Sequence, residues 1–279
     1  MPSMTTTPRV VIFTDLDGTL LDRDTYSFEP ARPALGLIKE KNIPLVLSSS
    51  KTRAEIEFYR KRLENDHPFI SENGGAVFVP KLYFSTPFPH DREVEDYFVL
   101  ELGTFYLHLF EALETIRKET GISIKGFFDL KAEEIVSLCG LSLEEAGLAK
   151  KREYDEPFIV EGGEKEVNIV RQEIQSKGLS YVWGGKLHHI LGKNDKGKAV
   201  EILKGLFENE FLAIRTIGIG DSLNDLPMLS VVDHPIFLKG GDALLQEALT
   251  PIRNLTVVDG KGPRAWKDAV LTLLEGLEI

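Results

Sequence analysis

The chain has 279 residues, 42% of them hydrophobic and 28% charged, and a formal net charge of -11. That length exceeds what one compact core usually holds and predicts two domains. The acidic balance argues against nucleic acid as a main partner, the lack of a long apolar run argues against a membrane span, and a lone cysteine, Cys139, excludes an intrachain disulfide.

A cytoplasmic protein in a reducing compartment is expected, with residues 1–8 as a loose tail and Cys139 as a small core residue. In chain order, residues 10–13 predict a fully buried strand that ends in Asp15 and Asp17, followed by Gly18 and Thr19. Open parallel sheets bind ligands outside the carboxyl ends of their strands. Two acids there can hold a divalent cation or divide nucleophilic and acid–base roles; a plain acidic turn is the simpler alternative. A helix is expected from Pro30 through Ala34 and Ile38 to a stop at Asn42. Residues 43–47 read as a second strand, running into Ser48-Ser49-Ser50-Lys51-Thr52-Arg53, and Ile56, Tyr59 and Leu63 mark another helix. Hydroxyls and freed N–H groups at such a turn make an anion site, to which Lys51 and Arg53 add charge, although a serine there also caps helices. A third strand at 68–70 leads into the turn Glu72-Asn73-Gly74-Gly75, and 76–79 return as a hairpin strand.

This alternation begins an α/β, doubly wound parallel sheet of the Rossmann-like kind. The pattern changes at Pro87, Pro89 and the charged run 91–96, which read as a boundary. Beyond it, Leu102, Phe105, Leu109, Leu113 and Ile116 step as an amphipathic helix. Helical segments at 131–139, 142–151 and 164–177, an extended run at 157–160, and a strand pair turning at Gly184 and Gly185 complete an α+β insertion over 84–189. The core, 1–83 and 190–279, resumes with a helix capped by Asp195 and starting at Lys196. A strand at 216–219 then feeds Asp221, Asn224 and Asp225, short strands follow at 235–238 and 255–258, and a helix through Trp266 closes the chain.

If the strands before Asp15 and Asp221 lie side by side, four carboxylates converge. Two unit charges about 4 Å apart repel by about 4 kcal/mol at an effective dielectric of about 20, so the cluster requires a counter-ion. Oxygen ligands select a hard cation, Mg²⁺ where phosphate oxygens complete the shell, and Lys196 supplies a fixed positive group.

DLDGTLLD at 15–22, a serine after the second strand, the lysine of DKGKAV at 195–200 and GDSLNDLPML at 220–229 together resemble the haloacid dehalogenase superfamily of phosphohydrolases. The insertion resembles the α/β cap of its Cof-like sugar phosphatases. SSKTRAEIE, PFISENGGAV, REYDEPF and the Gly-Gly pair further resemble the mannosyl-3-phosphoglycerate phosphatases. The resemblance implies Asp15 as nucleophile and Asp17 as general acid and base. It implies Mg²⁺ held by the Asp15 carboxylate, the Asp17 backbone carbonyl and Asp221, with Asp225 binding directly or through waters. Ser49 and Lys196 would hold the transferring phosphoryl group, and Asn224 would orient Lys196 or metal-bound waters.

The substrate implied is a small phosphorylated sugar acid, 2-O-mannosyl-3-phosphoglycerate. Another sugar phosphate, a phosphomutase and a non-catalytic binding protein are the alternatives. A substrate carboxylate calls for a second cation, and Arg53 is the first candidate. Lys51, Lys186 and His188 come after it, with Asn73, Gly184 and Gly185 on the substrate side. The insertion is expected to move over the site, hinged at Gly192 and at the proline-rich stretch before the charged run.

Overall fold

The computed structural model describes residues 8–184, 186–240 and 246–276. The chain opens with β1 (Arg9–Thr14), α1 (Arg32–Glu40), β2 (Leu45–Ser48), α2 (Arg53–Leu63) and β3 (Phe69–Ser71), then β4 (Ala76–Pro80), β5 (Arg92–Val94) and β6 (Tyr97–Glu101). Its middle holds α3 (Tyr106–Thr120), β7 (Ser123–Gly126), α4 (Ala132–Cys139), α5 (Leu143–Ala149), β8 (Asp155–Glu161), α6 (Glu164–Ser176), β9 (Ser180–Trp183) and β10 (His188–Leu191). It finishes with α7 (Lys196–Glu210), β11 (Ile214–Gly220), α8 (Leu226–Ser230), β12 (His234–Lys239), α9 (Gln246–Leu249), β13 (Thr256–Asp259) and α10 (Gly262–Gly276).

The large sheet has the order β13-β12-β11-β1-β2-β3-β4-β6-β5. It is parallel from β13 to β3 and antiparallel beyond. From β1 the chain winds outward through β2 and β3 on one side, and from β11 through β12 and β13 on the other. The crevice at the ends of β1 and β11 is therefore the switch point where such sheets bind ligands. Alternation along β1 fills both faces. Val10 and Ile12 pack with Ala34, Ile38 and Trp266, while Val11 and Phe13 pack with Leu203, Phe207 and Met228. The fully buried Trp266 donates its indole N–H to Thr14 Oγ1 at 2.9 Å, so the burial leaves no polar group unpaired there. This is the doubly wound α/β class expected.

A second, antiparallel sheet, β7-β8-β10-β9, carries α3 and α6 on one face through Leu109, Leu113, Val170 and Ile174. Cys139 is buried with Ile135, Ala146 and Leu187 against the other. Strands β5 and β6, which the sequence reading put in the insertion, extend the large sheet instead. The charged run 91–96 read as a boundary because an edge strand tolerates charges. The expected proline hinge likewise precedes β5 on the large-sheet side. The chain passes between the sheets at 102–105 and again at 192–195.

Candidate active site

β1 ends one residue before Asp15, whose N–H donates to the Ile219 carbonyl at 2.9 Å, so the strand register sets this carboxylate at the switch point. Lys196 begins α7, whose N-terminus is capped by Asp195 accepting the Lys198 N–H at 2.9 Å. The Lys196 side chain is fully buried, and Nζ lies 2.6 Å from both Asp15 Oδ1 and Asp225 Oδ1. The second Asp225 oxygen accepts the N–H groups of Asp221 and Ser222 at 3.0 Å each, which folds the turn after β11 back toward β1. Asp221 accepts from Arg23 at 2.7 Å and from the Thr19 hydroxyl at 3.2 Å. Gly18 is required beneath it: φ is +87°, and a Cβ there would stand 2.5 Å from Asp221 Oδ2.

Asp15, Asp221 and Asp225 each bring one oxygen within 4.8 Å of the others. Burial, with Asp225, Asp221 and Asp17 nearby, pushes Asp15 well above the ordinary carboxylate range against the opposing charge of Lys196. Burial and Asp225 likewise raise Asp221 to about 6, although Arg23 and Lys196 work the other way. Burial also opposes the charge on Lys196, but Asp15 and Asp225 outweigh it and keep the ammonium protonated. An all-oxygen, electrostatically crowded set of this kind fits a hard divalent cation. The Asp17 carboxylate is not in the group. It faces Lys51 Nζ at 3.0 Å, and its Oδ1 is buried without a partner, so any share it takes in metal binding falls to its backbone carbonyl.

Asp17 opens instead into a cavity of about 100 Å³ between the two sheets, walled also by Lys51, Arg152, Gly184, Lys186 and His189. Lys51 is buried between Asp17 and Glu55. Arg152, also buried, donates to the Ser50 carbonyl at 2.8 Å. Lys186 reaches the Cys139 carbonyl at 3.3 Å and no carboxylate among the described residues.

Other expected residues fall differently. Ser49 is buried at the end of β2, its Oγ accepting the Lys51 N–H at 3.2 Å, and the helix cap is Thr52 rather than a serine. Asn73 (φ 56°) and Asn224 bond to each other at 2.9 Å and line a neighbouring cavity of about 400 Å³ beside Lys196. Arg53 does not line the first cavity: its guanidinium is taken by Glu57, Glu95 and Glu153 at 3.2, 3.3 and 3.6 Å. His188 points away, bonded to the Tyr181 hydroxyl at 2.6 Å and packed on Trp183, whereas alternation along β10 turns His189 into the cavity. Gly185 lies outside the described residues. Thr19, Arg23, Arg152, Asp155 and His189 were not anticipated. Arg152 and Asp155 lie in the REYDEPF segment, which carried the resemblance without assigning either a role, and the His-His repeat on a strand hinted that one ring would face inward.

The chain belongs to the haloacid dehalogenase-like hydrolases, matching that family over residues 12–260. It is 49% identical over 266 residues to a glucosyl-3-phosphoglycerate/mannosyl-3-phosphoglycerate phosphatase of Methanococcoides burtonii, covering 95% of this chain and 97% of that one. A mannosyl-3-phosphoglycerate phosphatase of Pyrococcus horikoshii is 38% identical over 226 residues, 80% of this chain and 88% of its own. A solved phosphatase of the same superfamily from Bacteroides thetaiotaomicron shares the fold with a TM-score of 0.66 at 16% identity, covering 100% of this chain and 98% of that one. Family and relatives together make the chain a phosphoric monoester hydrolase.

Proposed function

We propose that this phosphatase hydrolyses 3-phosphoglycerate bearing a mannosyl or glucosyl group on its 2-oxygen, releasing the glycosylglycerate and phosphate through a phosphoryl-aspartate at Asp15. The observation that carries the reading is the buried Lys196 ammonium, 2.6 Å from both Asp15 and Asp225, with Asp17 opening into the cavity between the sheets. Both sugars stand in the name of the M. burtonii relative, whereas the P. horikoshii relative is named for mannosyl alone.

In the first step an Asp15 oxygen attacks phosphorus, and the departing glycerate oxygen takes a proton from Asp17. In the second, Asp17 accepts a proton from the water that attacks the phosphoryl-aspartate, which frees phosphate, restores the Asp15 carboxylate and returns Asp17 to its protonated form. Lys196 and Ser49 meet the charge on the phosphoryl oxygens. Bound Mg²⁺, held by Asp15, Asp221 and the Asp17 carbonyl with Asp225 alongside, would screen the carboxylates and polarise the phosphoryl group. Lys186, free of carboxylate partners among the described residues, takes the anchoring role first given to Arg53.

The small-sheet unit is then a cap. A cavity of about 100 Å³ is below the ~300 Å³ at which ligand pockets usually begin, and a swing of the cap at 102–105 and 192–195 would enlarge it. Gly192 fits such a crossing, since a Cβ there would lie 2.5 Å from Thr104 Oγ1. Phosphate release with Mg²⁺ from mannosyl- and glucosyl-3-phosphoglycerate, sucrose phosphate, mannose 6-phosphate and 3-phosphoglycerate tests the reading. The two glycosylated acids should lead in kcat/KM. A lead for sucrose phosphate or mannose 6-phosphate would refute the substrate while leaving the phosphatase.

A further inference from the structure

Four side chains from opposite sides of the interface between the sheets form one hydrogen-bonded line. Asn224 Nδ2 donates to Asn73 Oδ1 at 2.9 Å, Asn73 Nδ2 donates to Asp155 Oδ2 at 2.8 Å, and Asp155 Oδ1 lies 2.8 Å from His189 Nδ1. Asn73, Asp155 and His189 are all buried. The line starts in the turn that carries Asp221 and Asp225, crosses the interface, and ends on the wall opposite Asp17. It is complete only when the cap is seated on the core, because Asn73 and Asn224 lie on one side and Asp155 and His189 on the other.

The line fixes the imidazole. With Nδ1–H given to Asp155, Nε2 is left on the side of Gly184, which also borders the cavity. A Cβ at Gly184 would stand 2.7 Å from that nitrogen, so the glycine leaves room for the ring. Burial raises the proton affinity of Asp155, but the charge and hydrogen bond of His189, with Arg152 and Asn73, hold its carboxyl below the ordinary range. A ring whose Nδ1 faces a carboxylate presents its other nitrogen, Nε2, to the cavity, and in the imidazolium form both nitrogens carry an N–H.

We propose that His189, positioned by Asp155 and the Asn73–Asn224 link, donates from Nε2 to the carboxylate of the phosphorylated sugar acid and sets the preference for acid over neutral sugar phosphates. The inference rests on the substrate reading above. Arg53 cannot serve, Lys51 is committed to Asp17 and Glu55, Arg152 is held by the Ser50 and Ala149 carbonyls, and Lys186 gives one charge without direction; an imidazole fixed at its far nitrogen supplies the direction.

The test is the ratio of kcat/KM for glucosyl-3-phosphoglycerate to that for glucose 6-phosphate, measured with Mg²⁺ on the full chain and on His189→Gln, Asp155→Asn and Gly184→Ala. Losing a charge-assisted contact should reduce the ratio roughly 10- to 150-fold in His189→Gln, mainly through KM for the acid. Asp155→Asn and Gly184→Ala, which misdirect the ring, should show smaller losses of the same kind. A ratio unchanged in His189→Gln, or equal losses on both substrates, would overturn the assignment. Should His189→Gln fail to fold because it strands Asp155, Gly184→Ala decides the matter, since it keeps that pair, and an unchanged ratio there also overturns it. A wild-type enzyme with no preference for the acid would overturn the substrate reading, and the role of His189 with it.

Discussion

Lys51 and Asp17 form an ion pair across the wall of the cavity, Nζ to Oδ2 at 3.0 Å, with the lysine 4% and the carboxylate 34% exposed. The sequence suggested Lys51 as a contact for the substrate, but its charge is committed to Asp17 and, at 3.5 Å, to Glu55. Lys51→Met should therefore loosen the acid–base carboxylate and lower kcat roughly 10- to 100-fold, with little change in KM. Steady-state kinetics decide the point, and a raised KM with kcat intact would return Lys51 to substrate binding.

Lys196→Met removes the shared partner of Asp15 and Asp225 and leaves two buried carboxylates facing each other. Removing one member of a buried ionic set costs about 3–5 kcal/mol, so the variant should be inactive and its urea midpoint should fall. An unchanged midpoint would mean that the carboxylates are already neutral or otherwise compensated.

Lys186→Ala and Arg53→Ala separate the cation that lines the cavity without a carboxylate partner among the described residues from the one held by three glutamates. Lys186→Ala should raise KM for the glycosylated acid about 10-fold or more. Arg53→Ala, which breaks partly exposed pairs, should change stability by less than about 1 kcal/mol and leave KM nearly where it was. The opposite order of effects on KM would reinstate Arg53.

The acidic crevice was legible because Asp15 and Asp221 each follow an apolar strand, and the pairing of Thr14 with Ile219 brings the two strand ends together. The orientation of neighbouring residues was not. Whether His188 or His189 faces the cavity depends on the pairing of β10 with β8, where His189 stands opposite Pro157. A slip of one residue would exchange the two rings. The fate of Arg53 depended on Glu95 and Glu153, far away in sequence, and β5 was hidden because its charged residues are satisfied by distant partners such as Glu101 and Glu153 on Arg92.

Glu72 gives the fold a dependence on pH. Fully buried, it accepts the N–H groups of Glu153 at 3.0 Å and Tyr154 at 2.8 Å, and burial raises it from near 4.5 to about 8. Between those values the folded chain holds a proton that the unfolded chain has lost, so this group lowers stability as pH rises through the window. Glu72→Gln cannot ionise, and the wild type should lose stability relative to it between about pH 5 and pH 8. Urea unfolding at both pH values measures this, and a relative gain by the wild type with rising pH would contradict the assignment.

Rapid quenching of the wild-type enzyme during turnover of glucosyl-3-phosphoglycerate with Mg²⁺, followed by peptide mass analysis, tests the central claim most directly. The account predicts a phosphoryl group on the peptide carrying Asp15, absent from Asp15→Asn, which should stay folded and release no phosphate. A phosphoryl group on another residue, or sustained turnover by Asp15→Asn, would contradict it.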